Sequence, residues 1–222
     1  GAGLDVLHSS AVVSGCTLSD NLAPGKLRGV CAYCGGDASD VTFRNCILFG
    51  NQADAGAGIL VERTTTAQPS VTSWNWRCTV AVVNCTIAGN GLTYTLGSSA
   101  AGGINSNGAD IAVVNSIIWG NDGSAVTIAN ATTGTPVTYS DIQGGHFGTG
   151  NIAADPLFAA ASSADYHLKS TGGRYNPQTG TWVGDSVCSP CINAGNPSYS
   201  AEYEPPSNGD RINMGAYGGT AE

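Results

Sequence analysis

One short pattern recurs down most of the chain and limits what it can fold into. It reads VVSGCTLSDN ending at Asn21, VTFRNCILFGN ending at Asn51, VAVVNCTIAGN ending at Asn90 and IAVVNSIIWGN ending at Asn121. A weaker copy, VTYSDIQGG, ends at Gly145. The residue after the first turn is Cys16, Cys46, Cys85 or Ser116, at spacings of 30, 39 and 31. A fixed unit at variable spacing is how a solenoid behaves: coils stack, and insertions are pushed out at one corner. A sandwich of hairpins would need strand pairs joined by Asn-Gly turns. Here the order is Gly-Asn, repeated at coil spacing. The predicted fold is all-β, a right-handed parallel β-helix over residues 1–145, closed by an irregular C-terminal cap over residues 146–222.

Neighbouring coils of such a fold lie about 4.8 Å apart, so equivalent side chains stack into columns. Alternation points Cys16, Leu18, Cys46, Leu48, Cys85, Ile87, Ser116 and Ile118 inward. Before the turn it points Val41, Phe43, Val80, Val82, Ile111 and Val113 inward. Thr17, Ile47, Thr86 and Ile117 face outward, and Ile47, Phe49, Ile117 and Trp119 make an outward apolar column that could pack against a partner. Asn45, Asn84 and Asn115 form one corner column, and Asn21, Asn51, Asn90 and Asn121 form another. Asparagine tolerates the left-handed backbone of a sharp corner, and its amide can bond a neighbouring coil.

Composition agrees with this reading and excludes others. Charged residues are only 11%, and glycine is abundant at 32 residues, which suits tight turns and small polar surfaces better than helices. The net charge is −8 and the eight basic residues are scattered, so no nucleic-acid partner is expected. No apolar run is long enough for a membrane span. Eight cysteines in Gly/Asn/Thr-rich strands suit an oxidising compartment, so the chain is expected to be extracellular, secreted or on a cell surface.

After Gly145 the rung pattern stops. The pieces NIAADPLF (Asn151 to Phe158), DYHLKS (Asp165 to Ser170), SPCINAGNPS (Ser189 to Ser198) and EPPSNGDRINMGAYGGTAE (Glu204 to Glu222) follow in that order. Together they resemble the C-terminal region of secreted bacterial parallel β-helix repeat proteins of the choice-of-anchor Q type. The ending RINMGAYGG is the most specific piece. The resemblance implies a bacterial surface protein and a capping role for this segment, but no activity. Asn193 and Asn213 depart from it, since relatives usually carry Asp there. As a cap, the segment is expected to cover the last coil's open edge and apolar interior.

Enzymes that share a parallel β-helix need clustered carboxylates with basic partners or calcium. Asp37 and Asp40 are the one close pair before the cap, in the loop CGGDASD, and read as solvated loop residues. His8, His146 and His167 are far apart in sequence. No catalytic residue, metal or cofactor is therefore expected. Cys188 and Cys191, in CSPC, read as a local disulfide. Cys31 and Cys34, in CAYC, are a second candidate pair, and Cys78 could reach either of them; eight cysteines leave the pairing open. Trp74 and Trp76 fall on one face of an insertion. They would either stack on a sugar or partner, or fold over Ile47 and Phe49. Three function classes follow, one of them a passive spacer that presents another domain. The first is a structural or adhesive module whose partner is a second copy of itself, as a filament or layer. The alternative is a β-helix that binds or cleaves a surface glycan.

Overall fold

The computed structural model describes residues 3–23, 32–35 (backbone only), 39–62, 78–93, 100–131, 134, 136–206 and 208–222. Trp74, Trp76, Cys31, Asp37 and the side chain of Cys34 lie outside the described residues.

Five coils stack in parallel. Coil 1 comprises strands Leu4–Leu7, Ser10–Ser14, Thr17–Ser19 and Leu22–Ala23; coil 2 comprises Ala32–Gly35, Asp40–Arg44, Ile47–Phe49 and Gln52–Ala53. Coil 3 comprises Ile59–Glu62, Thr79–Val83, Thr86–Ala88 and Gly91–Leu92. Coil 4 comprises Ala101–Asn107, Asp110–Val114 and Ile117–Trp119, and coil 5 Ser124–Ala129, Val137–Thr138 and Asp141–Ile142. Equivalent strands form three five-stranded sheets, with a short three-stranded one at a corner. This is the stacked parallel architecture of a β-helix or solenoid.

Register is set by side-chain columns, because a slip by one residue would turn each apolar set to the wrong face. Leu18, Leu48, Ile87, Ile118 and Ile142 are register partners in one column. Val13, Phe43, Val82, Val113 and Val137 form another. Residues from all three large sheets meet in a single core cluster. Each fully buried Ile, Leu or Phe in it contributes roughly 1.5–3 kcal/mol. The inward positions before the turn, Val41, Phe43, Val80, Val82, Ile111 and Val113, are all buried, as alternation predicts.

Cys16 departs from its column. It is exposed, whereas Cys46, Cys85 and Ser116 are buried. Its coil pairs on one side only among the described residues, so nothing there covers the thiol.

The two corners share one construction: a left-handed residue followed by a hydrogen-bonding ladder. At the first corner the positive-φ residues are Gly15, Asn45, Asn84, Asn115 and Tyr139. The ladder behind them runs from Cys85 N–H to Ser116 Oγ, from Ser116 N–H to Ser140 Oγ and from Ser140 N–H to Asn151 Oδ1, each 3.1 Å. At the second corner the positive-φ residues are Asp20, Gly50, Gly89 and Gly120, each one place before an asparagine. Asn21, Asn51, Asn90 and Asn121 are therefore not the bent residues there. They form an amide ladder, with Nδ2-to-Oδ1 distances of 2.8, 2.9 and 2.8 Å.

The segment after residue 145 carries two antiparallel hairpins, Phe158–Ala160 with Asp165–Leu168 and Arg174–Asn176 with Thr181–Val183, and one short 3-10 turn, Ala161–Ser163. Residues 149–152 bond the edge of coil 5, and the last part of the segment runs back along the flank of the stack beside coils 2 to 4. No helix among the described residues is long and apolar enough to cross a membrane.

Candidate functional site: a polar cleft on the solenoid flank

The cleft begins with the first-corner asparagines. Left-handed backbone at Asn45, Asn84 and Asn115 turns their amides away from the core. Asn45 Nδ2 donates to Ala216 O and Gly218 O, both at 2.9 Å, and Asn84 Nδ2 to Asn213 O at 3.2 Å. Asn115 Oδ1 accepts from Asn196 N–H at 2.7 Å, and Asn115 O accepts from Gly215 N–H at 2.8 Å. Ala216 N–H donates to Thr86 Oγ1 at 3.0 Å. Three successive coils thus hold the C-terminal segment through one rail.

Glycine is needed where the segment touches the rail. A Cβ on Gly215 would come within 2.8 Å of Ile117 Cδ1, and one on Gly218 within 2.1 Å of Asn213 O and 2.3 Å of Asn84 Nδ2.

The docked segment covers the outward apolar column. Ile117 is fully buried against Cys191 and Met214, with Trp119 half-buried beside them. Phe49 meets Tyr166, ring centroids 5.3 Å apart, and Ile47 is half-buried. The reading of Ile117 as a free contact for a partner or sugar is corrected accordingly, while Ile47, Phe49 and Trp119 stay half-buried. An apolar strip facing water needs a cover, and the chain supplies its own.

The Cys188–Cys191 bridge is also corrected: both are free thiols. Cys191 turns inward, its Sγ donating to Asp141 Oδ2 at 3.1 Å, while Cys188 is exposed. Burial pushes the Cys191 thiol and the Asp141 carboxyl above their ordinary ranges. Cys78 is likewise a buried free thiol in the core, raised to about 11 by burial.

Between the second hairpin, the rail and the returning segment lies a cavity of about 200 Å³. His167, Arg174, Trp182, Asn193, Glu204 and Tyr217 are among its walls. Asp165 and His167 stand two apart on one strand, hence on one face. His167 Nδ1 is 2.6 Å from Asp165 Oδ1, and its ring stacks on Tyr217 with centroids 3.8 Å apart. A carboxylate accepts, so Nδ1 carries a proton toward Asp165.

Arg174 Nε donates to Asp185 Oδ2 at 2.9 Å, and its Nη1 lies 3.6 Å from Asp165. Burial works against ionisation of Asp185, but the Ser170 N–H and Arg174 overcome it and hold its carboxyl below the usual range. Glu204 Oε1 accepts from Asn213 N–H and Gly219 N–H, both at 2.8 Å. Burial nevertheless raises the Glu204 carboxyl, and it pushes Tyr217 up to about 12. Asn193 and Asn213, the two departures from the resemblance, meet here: Asn193 N–H donates to Asn213 Oδ1 at 2.7 Å.

A family model described as disaggregatase related matches residues 137–195. The disaggregatase-related stretch takes in the last two strands of coil 5, both hairpins, and His167, Arg174, Trp182 and Asn193 of the cleft. Glu204 and Tyr217 lie beyond it. No curated protein and no solved structure matches the chain.

Sequence reasoning brings none of the cleft residues together. His167 stands out there only as an isolated histidine. The alternation Asp165-Tyr166-His167 was the available signal, because it sets two ionisable groups on one strand face.

Proposed function

We propose that the chain is an extracellular structural or adhesive β-solenoid module of a bacterial surface, non-catalytic and able to assemble with copies of itself. The observation that carries this reading is the pair of corner ladders, which tie coil to coil and give a stiff stack with few charges to repel a neighbour. The resemblance of the RINMGAYGG ending to choice-of-anchor Q proteins supports the surface location. With the flank covered by the chain itself, assembly would use the end at coil 5. There Ser124–Ala129 pairs only with Ala101–Asn107 among the described residues, and Phe147 is 99% exposed. An open strand edge is a template for another chain. A head-to-tail contact that does not close makes a filament.

Sedimentation of the purified protein over a concentration series, with negative-stain imaging, tests this. Concentration-dependent elongated species that Ile128→Lys abolishes are the expected result; a monomer at every concentration would falsify the assembly.

A second reading, glycan binding without cleavage, is supported by the cleft, where an exposed tryptophan borders buried polar groups, the usual build of a small-ligand site.

A further inference from the structure

We propose that the cleft binds a small ligand carrying a protonated amine among hydroxyl groups, an amine-bearing sugar or polyol. This rests on the glycan-binding reading and names the chemistry that the site would select.

The argument starts from atoms that lack partners. Among the described residues, three buried side-chain atoms have no hydrogen-bond partner: His167 Nε2, Asn193 Oδ1 and Glu204 Oε2. All three belong to residues that line this one cavity. His167 and Glu204 are only 4% and 5% exposed. His167 Nε2 lies 3.6 Å from Glu222 Oε2, beyond hydrogen-bond reach. Orphaned buried polar atoms are rare in native proteins and costly to keep, so three in one place call for an occupant.

Their chemistry is one-sided. Asn193 Oδ1 and Glu204 Oε2 are acceptors, and with Nδ1–H turned to Asp165 the neutral form of His167 presents Nε2 as an acceptor as well. The occupant must therefore donate. Charge points the same way. The carboxyls in and around the cleft are Asp165, Asp185, Glu204 and Glu222; the permanent cations are Arg174 and Lys169. Arg174 is already engaged by Asp185 and Asp165. An ammonium group offers donors, no acceptor and the missing positive charge.

A metal ion fits less well, since no group of three His, Cys, Asp or Glu among the described residues could hold one. Trp182, half exposed at the rim, supplies a ring face for a cation or the apolar face of a sugar. The cavity, about 200 Å³, has room for a single ring and not for a long chain.

Titration calorimetry of the folded protein with glucosamine, glucose and N-acetylglucosamine tests this, because the three share a ring and differ in the amine. Glucosamine is expected to bind at least about tenfold more tightly than the other two, a charge-assisted hydrogen bond being worth that much. Glu204→Gln keeps the acceptor for Asn213 and Gly219 but turns a donor toward the cavity. It should weaken glucosamine about tenfold, and weaken any glucose binding by less, since only the amine carries the charge. Should that variant melt early, Trp182→Ala at the exposed rim leaves the buried groups in place and should weaken glucosamine; unchanged glucosamine affinity in it would overturn the site. Equal affinity for glucose and glucosamine would overturn the amine and leave glycan binding standing. No binding by any of the three would overturn both.

Discussion

Each second-corner asparagine makes several bonds at once. Asn90 is buried; its Nδ2 donates to Leu48 O at 3.0 Å and to Asn121 Oδ1 at 2.8 Å, and its Oδ1 accepts from Asn51 N–H and Nδ2. Asn90→Ala strands polar groups on the two neighbouring coils and should cost about 3 kcal/mol. Asn21→Ala, at the half-buried start of the ladder, should cost about 1 kcal/mol. Urea midpoints measured with an unchanged slope check both.

Glu204 makes the second residue-scale prediction. Burial raises its folded pKa above the unfolded value, so its contribution is fully present below the unfolded pKa and is lost as pH rises through the folded one. Asp141 acts in the same direction. Melting temperature should therefore fall as pH climbs past the ordinary carboxylate range, and Glu204→Gln should flatten that fall. Asp185, held low, acts oppositely and loses its contribution only in more acidic solution. A melting curve as steep in Glu204→Gln as in the parent would remove Glu204 as the cause.

Among the elements, the rail of Asn45, Asn84 and Asn115 couples the stack to its cover. Asn84→Gly keeps the positive φ and removes the amide's bonds to Asn213 O and Asn115 Nδ2. Asn84→Ala also forces alanine into the left-handed region, which adds about 1 kcal/mol. Limited proteolysis should cut both variants faster between residues 190 and 222, with the coils still protected; equal cutting of variant and parent would mean that the rail bears no load. The coils were legible in the sequence because their chemistry is local. Val41, Phe43, Val80 and Val82 alternate, and Gly50, Gly89 and Gly120 mark the bend one place ahead of each asparagine. The cover was not legible, since it depends on contacts between residues far apart in the chain. Its trace was present all the same: Ile117 and Trp119 are apolar at outward positions, and Gly215 and Gly218 permit an approach that any side chain would block.

For the molecule as a whole, the predicted filament places its contact at the coil 5 end. Phe147→Asp should therefore weaken sedimentation-detected assembly, and Ile117→Ala should not, because Ile117 is already enclosed by the chain's own cover. The bond between Asn45 and Ala216 spans 171 positions of sequence. Such long-range closure is slow compared with the stacking of neighbouring coils. Coils 2 to 4 can stack as soon as they are made, yet their outer strip stays open until the stretch around residues 213–218 has emerged. A chain made or exported from its N-terminal end thus delivers its apolar strip first and the cover last, and its hazard of clumping with neighbours is set by timing rather than by final stability.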